Sequence, residues 1–273
     1  MVRCAVWGSP ITHSLSPVLH RAAYATLGLT DWTYTSRDVD AASFVGAVAD
    51  LDDSWRGLSL TMPLKEVAAS VATTVSATAR ETGAINTLVR EARGWAGHNT
   101  DVQGIRAALA EAGCARPRTA TIIGSGATAR SVVRALEVGG AEAVSFMVRA
   151  DARPQTLAQA ARAGLSVEVV PLGAWPRSDV VVSTVPPAAV TGLDGLPSPD
   201  SRHGVGAVLD VVYGGGETPL QLAARARGWS IIDGTAMLLH QAAEQVHLMT
   251  GREAPLEAMR SALVAARPSA ASR

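Results

Sequence analysis

The stretch RTATIIGSGATARSVVRALEVGG, residues 118–140, decides how this chain is read. An apolar run ends at Gly124-Ser125-Gly126, and a helical run follows to Gly139-Gly140. The turn has the form G-x-G-x-x-A, with Gly124, Gly126 and Ala129 at the fixed places. Each place has a physical role. Gly124 permits a tight turn, Gly126 lets a phosphate approach the backbone, and Ala129 keeps helix and strand close. The helix start offers unpaired N–H groups and the positive end of its dipole. Strand, glycine turn and helix in this order predict a βαβ unit that binds a dinucleotide.

Downstream the same rhythm repeats. AEAVSFMVR (141–149), LSVEVVP, SDVVVSTVPP (178–187), GAVLDVVYGGG (206–216) and WSIID (229–233) read as strands, separated by helical runs such as TPLQLAARARG (218–228). Continuous apolar runs of this kind suit parallel strands covered on both faces. MVRADAR, at the end of the second strand, places Arg149 and Arg153 where a ribose 2′-phosphate would sit; this favours NADP. Asp151 lies between them and could instead take a ribose hydroxyl, as NAD would require.

Upstream, strands and helices also alternate: RCAVWG, the helix SPVLHRAAYATLGL (16–29) with Ser16 as a candidate N-cap, DWTYTSRDV, AASFVGAVAD, RGLSLT, a helix from LKEVAASVA, and the strand AINTLVRE. After Gly234 the pattern is helical, in MLLHQAAEQVHLMTG and APLEAMRSALVAA, and these helices are expected to return to the first domain. The tail RPSAASR is expected to fray.

Composition narrows the function. The chain has 273 residues, 48% hydrophobic, with a formal net charge of zero, so neither nucleic acid nor an anionic membrane is indicated as a partner. No apolar run reaches a membrane span and no secretory leader is evident, which implies a cytoplasmic protein acting on something small. Cys4 and Cys114 have no metal-ligand spacing and read as buried free thiols; no metal is expected. Of 24 basic residues only Lys65 is a lysine, and the only asparagines are Asn86 and Asn99. Arginine can replace a lysine that only carries charge. It cannot replace one that must lose and regain a proton.

Those rare residues fall in short polar motifs. GSPITHSLSP (8–17) sets Ser14 and Ser16 beside a helix start. SLTMPLK holds Thr61 and Lys65. GAINT (83–87) holds Asn86, and GHNTD (97–101) ends in Asp101 at a helix start. His13 and His98 lie beside these motifs and are read as surface or neighbouring residues rather than catalytic ones.

Taken together the motifs resemble the shikimate dehydrogenase family along nearly the whole chain. GSPITHSLSP looks like its serine motif, SLTMPLK its Thr-x-Pro-x-Lys element, GAINT its asparagine element, NTD its aspartate element and GSGATAR its cofactor loop. DVVYGGGETPL and DGTAMLLHQAAEQ look like its C-terminal tyrosine and glutamine elements. The resemblance implies an α/β fold. An N-terminal α/β substrate domain, residues 1–101 completed by helices within 234–273, would join a Rossmann-type doubly wound NADP-binding domain, residues 102–233, with a cleft between them. It implies NADPH-dependent reversible reduction of 3-dehydroshikimate to shikimate, in aromatic amino-acid biosynthesis, by a monomer or homodimer. By position, Lys65 and Asp101 would be the catalytic pair. Ser14, Ser16, Thr61, Asn86, Tyr213 and Gln241 would hold substrate. Gly124, Ser125, Gly126, Ala127, Thr128, Ala129, Arg149, Arg153, Gly234 and Met237 would hold the cofactor. Two positions depart from the pattern: Ser59 stands where the family usually has Asn, and Val148-Arg149-Ala150 where it usually has Asn-Arg-Thr. Quinate use with NAD, a catalytically silent NADP-binding relative, and another two-domain NADP enzyme such as a methylenetetrahydrofolate dehydrogenase are the competing readings.

Overall fold

The computed structural model describes residues 1–199 and 206–266. The chain divides into two compact units, one of residues 1–100 with 238–273 and one of residues 101–237. The expected frayed tail, 267–273, lies outside the described residues.

The first unit is built on a six-stranded mixed sheet in the order β2-β1-β3-β5-β6-β4: β1 (Val2–Gly8), β2 (Trp32–Asp38), β3 (Trp55–Leu60), β4 (Ala72–Val75), β5 (Thr87–Glu91) and β6 (Gly94–His98). β1 runs parallel to β2 and β3, while β5 runs antiparallel to β3 and β6. Helices α1 (Ser16–Thr26), α2 (Phe44–Ala49), α3 (Leu64–Val67) and α4 (Ala77–Thr82) lie between the strands. Its core gathers Trp7, Phe44, Trp55, Leu58, Leu64, Ile85, Leu88 and Trp95. Phe44 and Trp55 meet Trp7 edge-on at 6.3 and 6.1 Å, the geometry that ring quadrupoles favour.

The helix expected from LKEVAASVA is shorter than the reading. It ends in a 3₁₀ turn (Ala68–Ser70), and the chain then enters β4, which pairs in parallel with β6. The strand β6 (Gly94–His98) is folded back on β5 by a turn in which Gly94 has φ +126°. Two β-branched threonines in ATTV suit a strand, but only the pairing with β6 makes one.

The second unit opens with α5 (Asp101–Glu111) and carries six parallel strands in the order β12-β11-β10-β7-β8-β9. These are β7 (Thr119–Ile123), β8 (Ala143–Val148), β9 (Ser166–Pro171), β10 (Val180–Ser183), β11 (Ala207–Asp210) and β12 (Ser230–Asp233), with α6 (Ala127–Gly139), α7 (Pro154–Arg162) and α8 (Pro219–Ala226) as crossovers. Side chains alternate across a strand. Ile122, Phe146, Val182 and Leu209 therefore enter one apolar cluster, and Ile123, Met147, Val181 and Val208 enter another on the opposite face. This is why the strands read as unbroken apolar runs. The runs 178–187 and 206–216 outlast their strands, because β10 stops at Ser183 and β11 at Asp210. Thr218 caps α8 with its side chain, and Gln221 returns the bond in a capping box.

α9 (Gly234–Thr250) and α10 (Leu256–Ala265) are the last elements among the described residues, and α10 packs on α1 in the first unit. Cys4 and Cys114 are free and buried, and burial pushes both thiols up to about 11. Among the described residues, no helix is long and apolar enough to cross a membrane, and no group of three or more His, Cys, Asp or Glu could hold a metal ion.

Candidate functional site

In the first unit, the polar motifs converge at the ends of β1, β3 and β5. Gly8 has to be glycine: a Cβ there would run into Thr61 Cγ2 and lie 2.8 Å from the Met62 carbonyl oxygen. Ser9 N–H donates to that same carbonyl at 2.9 Å. The serine loop is thereby fastened to the turn that carries Thr61 and Lys65. Thr61 N–H donates to Trp7 O (2.9 Å), Leu60 N–H to Asn86 O (2.7 Å) and Ile85 N–H to Lys65 O (2.8 Å). The backbones bearing Thr61, Lys65 and Asn86 are thus bonded to one another or to immediate neighbours. Thr61 and Lys65 are half-buried, as is Ser14.

Ser16 does not cap α1. The cap residue is Leu15, Ser16 is the first helical residue, and Pro17 follows inside the first turn. The Ser16 N–H, an orphan donor of the first turn, is directed to Ser14 Oγ at 3.4 Å. The helix has no side-chain cap, and the expected capping role of Ser16 is not met.

Asn86 is buried, and its side chain is enclosed by hydrogen bonds. Its Oδ1 accepts Thr100 N–H at 2.8 Å and Thr87 Oγ–H at 2.9 Å. Its Nδ2 donates to Thr100 Oγ1 at 2.9 Å and to Gln241 Oε1 at 3.4 Å. Gln241, on α9, donates in turn to Leu238 O at 3.0 Å. The structure therefore brings Asn86 and Gln241 together, although 155 residues separate them. Asn99 is engaged elsewhere, on Thr82 Oγ1 and Ala84 O, both at 3.0 Å. His98 ends β6 and its carbonyl accepts Asn86 N–H; burial lowers its imidazole pKa, and His13 is exposed.

Thr100, Thr87, Ser59, Tyr34 and Gln245 belong to this polar cluster and were not singled out as site residues from the sequence. Gln245 carried a usable signal: it lies four residues after Gln241, on the same face of α9.

In the second unit, Asp101 is buried at the first position of α5, where a carboxylate suits the positive helix end. In the glycine loop, Gly124 has φ +101°, and a Cβ there would lie 2.7 Å from both Thr184 Oγ1 and Val185 Cγ1. Gly126 caps α6 with no side-chain acceptor, and a Cβ there would meet nothing within 4 Å. Uncapped N–H groups beside open space can hold a phosphate. Ser125 is already engaged: its Oγ accepts Arg153 N–H (3.1 Å) and its carbonyl accepts Thr156 Oγ–H (2.8 Å). It therefore braces the start of α7. Arg149 and Arg153 both lie just before α7, and both are exposed together with Asp151.

Gly234 lies against the end of β11, where a Cβ would be 2.7 Å from Asp210 O and from the Val211 carbonyl group. Asp210 is buried, which raises its carboxyl pKa above the ordinary range, and Thr218 Oγ–H donates to it at 2.8 Å. That bond ties together the two ends of the loop bearing Tyr213, which is half-buried. Met237 is packed into the apolar core of this unit with Val102 and Ile105.

These features define a two-unit α/β protein whose second unit has the Rossmann-type dinucleotide-binding fold. Family models match at both ends: the shikimate dehydrogenase substrate binding domain over residues 6–88 and the shikimate 5'-dehydrogenase C-terminal domain over residues 234–264. The chain is 38% identical to the shikimate dehydrogenase (NADP(+)) of Moorella thermoacetica, over 93% of this chain and 90% of that protein. Its fold is similar to that of Mycobacterium tuberculosis shikimate dehydrogenase, with TM-score 0.88 and 37% identity, over 97% of this chain and 100% of that one. It is also similar to the Thermus thermophilus enzyme solved in complex with NADP(H) and shikimate, with TM-score 0.84 and 31% identity, over 97% and 99% of the two chains. The chain belongs to the shikimate dehydrogenase family.

Proposed function

We propose that this protein catalyses the NADPH-dependent, reversible reduction of 3-dehydroshikimate to shikimate, with Lys65 and Asp101 as its acid/base pair. The observation that carries the reading is the near full-length similarity to NADP(+) shikimate dehydrogenases, together with the chain's single lysine, Lys65, in the segment Thr61-Met62-Pro63-Leu64-Lys65.

Bound NADPH supplies the hydride. Residues of the glycine loop, Gly124 to Ala129, together with Arg149 and Arg153, are the groups suited to hold it. The open space at Gly126, the uncapped start of α6 and two guanidinium groups fit a phosphorylated dinucleotide. Gly234 and Met237 are assigned beside the nicotinamide.

Reduction of a ketone leaves negative charge on oxygen, and a proton must arrive as that charge develops. Lys65 is the donor: its ammonium attracts the carbonyl oxygen, then gives up a proton, which an arginine could not do. Asp101 is the carboxylate assigned to orient that ammonium. Ser14, Ser16, Thr61, Asn86, Gln241 and Tyr213 hold the substrate's hydroxyls and carboxylate.

Saturating shikimate and NADP+ should give steady turnover with the wild-type protein, and Lys65→Ala and Lys65→Arg should each lower kcat by about 100-fold or more. A Lys65→Arg protein with near-normal kcat would show that Lys65 contributes charge alone, and the proton-transfer role would be wrong.

A further inference from the structure

The hydrogen bonds on Asn86 continue inward along a buried path. Tyr34 Oη–H, on β2, donates to Ser59 Oγ at 2.6 Å. Ser59 Oγ–H, on β3, donates to Gln245 Oε1 at 2.7 Å. Gln245 Nε2, on α9, donates to Thr87 Oγ1 at 3.0 Å and to Asn86 O at 3.4 Å. Thr87 Oγ–H, on β5, donates to Asn86 Oδ1 at 2.9 Å. None of Tyr34, Ser59, Thr87, Asn86 and Gln245 exceeds 3% exposure.

The path has a direction. A hydroxyl has one proton to give, an amide oxygen only accepts and an amide nitrogen only donates. Because Ser59 receives the phenol proton, its own proton is free for Gln245 Oε1. That fixes the Gln245 amide with its nitrogen toward Thr87, and Thr87 then donates onward to Asn86 Oδ1. Thr100 N–H reaches the same oxygen at 2.8 Å. With donors on its oxygen, the Asn86 amide is held with Nδ2 toward Thr100 and Gln241. An apolar core of the same shape needs no such polarity, whereas an amide that must present one end does.

We propose that Gln245 and Thr87, fed from Tyr34 through Ser59, are positioning residues that set the orientation of the Asn86 amide and through it the affinity for substrate. This rests on the reading of Asn86 as a substrate-holding residue. None of the four relay residues needs to touch substrate.

Two asparagines in the whole chain make the test direct. Selective ¹⁵N-asparagine labelling gives two side-chain NH₂ pairs, and Asn99→Asp identifies the pair that belongs to Asn99. Thr87→Val and Gln245→Leu should displace the Asn86 pair and speed its hydrogen exchange by about 10-fold, leaving the Asn99 pair in place. Thr87→Ser keeps the hydroxyl and should restore the wild-type spectrum. In the same proteins KM for shikimate should rise about 10-fold while kcat stays within about 3-fold. Ser59→Ala, a small change suited to any case where Gln245→Leu does not fold, should give a weaker version of both effects. An Asn86 pair that stays put in folded Thr87→Val and Ser59→Ala proteins overturns the relay, whatever their activity. A displaced pair with unchanged KM supports the relay and overturns instead the substrate role of Asn86.

Discussion

His20 shows what burial does to a single titratable group. It is fully enclosed on α1, stacked on Tyr34 at 3.9 Å, with Nδ1 bonded to Ser16 O at 3.0 Å. Burial, partly opposed by the Ser16 bond, pushes its pKa down to about 4 from an ordinary 6.5. Below pH 6.5 the unfolded chain therefore binds a proton that the folded chain refuses until about pH 4. Stability falls with falling pH across that window, by on the order of 3 kcal/mol from this residue, and is unaffected by it above. Denaturant unfolding at a series of pH values should show a flatter acid limb for His20→Gln than for the wild type; parallel limbs would mean that His20 binds its proton equally well in the folded and unfolded chains. At this scale the sequence is uneven. Scarcity singles out Lys65 and Asn86, because a biased composition leaves few lysines and asparagines to choose from. Gln245 is marked only by its four-residue spacing from Gln241 on α9, and Thr87 stands in a threonine-bearing background, where only its contacts with Asn86 and Gln245 reveal its part.

At the scale of elements, the glycine loop between β7 and α6 separates folding from binding. Gly124→Ala sets a side chain at φ +101° and against Thr184 and Val185, so it should cost about 1–3 kcal/mol of stability. Gly126→Ala meets no protein atom within 4 Å and should change stability by less than about 1 kcal/mol. If a cofactor phosphate approaches the Gly126 backbone, the same methyl should raise KM for NADP+ by about 10-fold. Unfolding curves and NADP+ titrations on the two variants would check this; unchanged KM in Gly126→Ala would remove the loop from the cofactor site. The parallel sheet of the second unit was legible because apolar runs such as TATII and DVVV need cover on both faces. β4 was not legible, since ATTV follows a helix and is extended only by pairing with β6. Strand ends were blurred where an apolar run continues into a loop, as after Ser183 and Asp210.

For the molecule as a whole, sequence and fold agree on the family, and the open chemical question is selectivity. Arg149 and Arg153 are both exposed beside the loop that Ser125 braces, as binding of a 2′-phosphate requires. The neighbours Val148 and Ala150 offer no polar side chain, and Asp151 is available to a ribose hydroxyl. The position of the arginines favours NADP over NAD. The most direct measurement is the initial rate of the purified protein on shikimate and on quinate, each with NADP+ and with NAD+. The highest kcat/KM is expected for shikimate with NADP+, by about 10-fold or more over either single change of substrate or cofactor. A preference for quinate with NAD+, or no turnover of any pair by protein that binds NADP+, would contradict it.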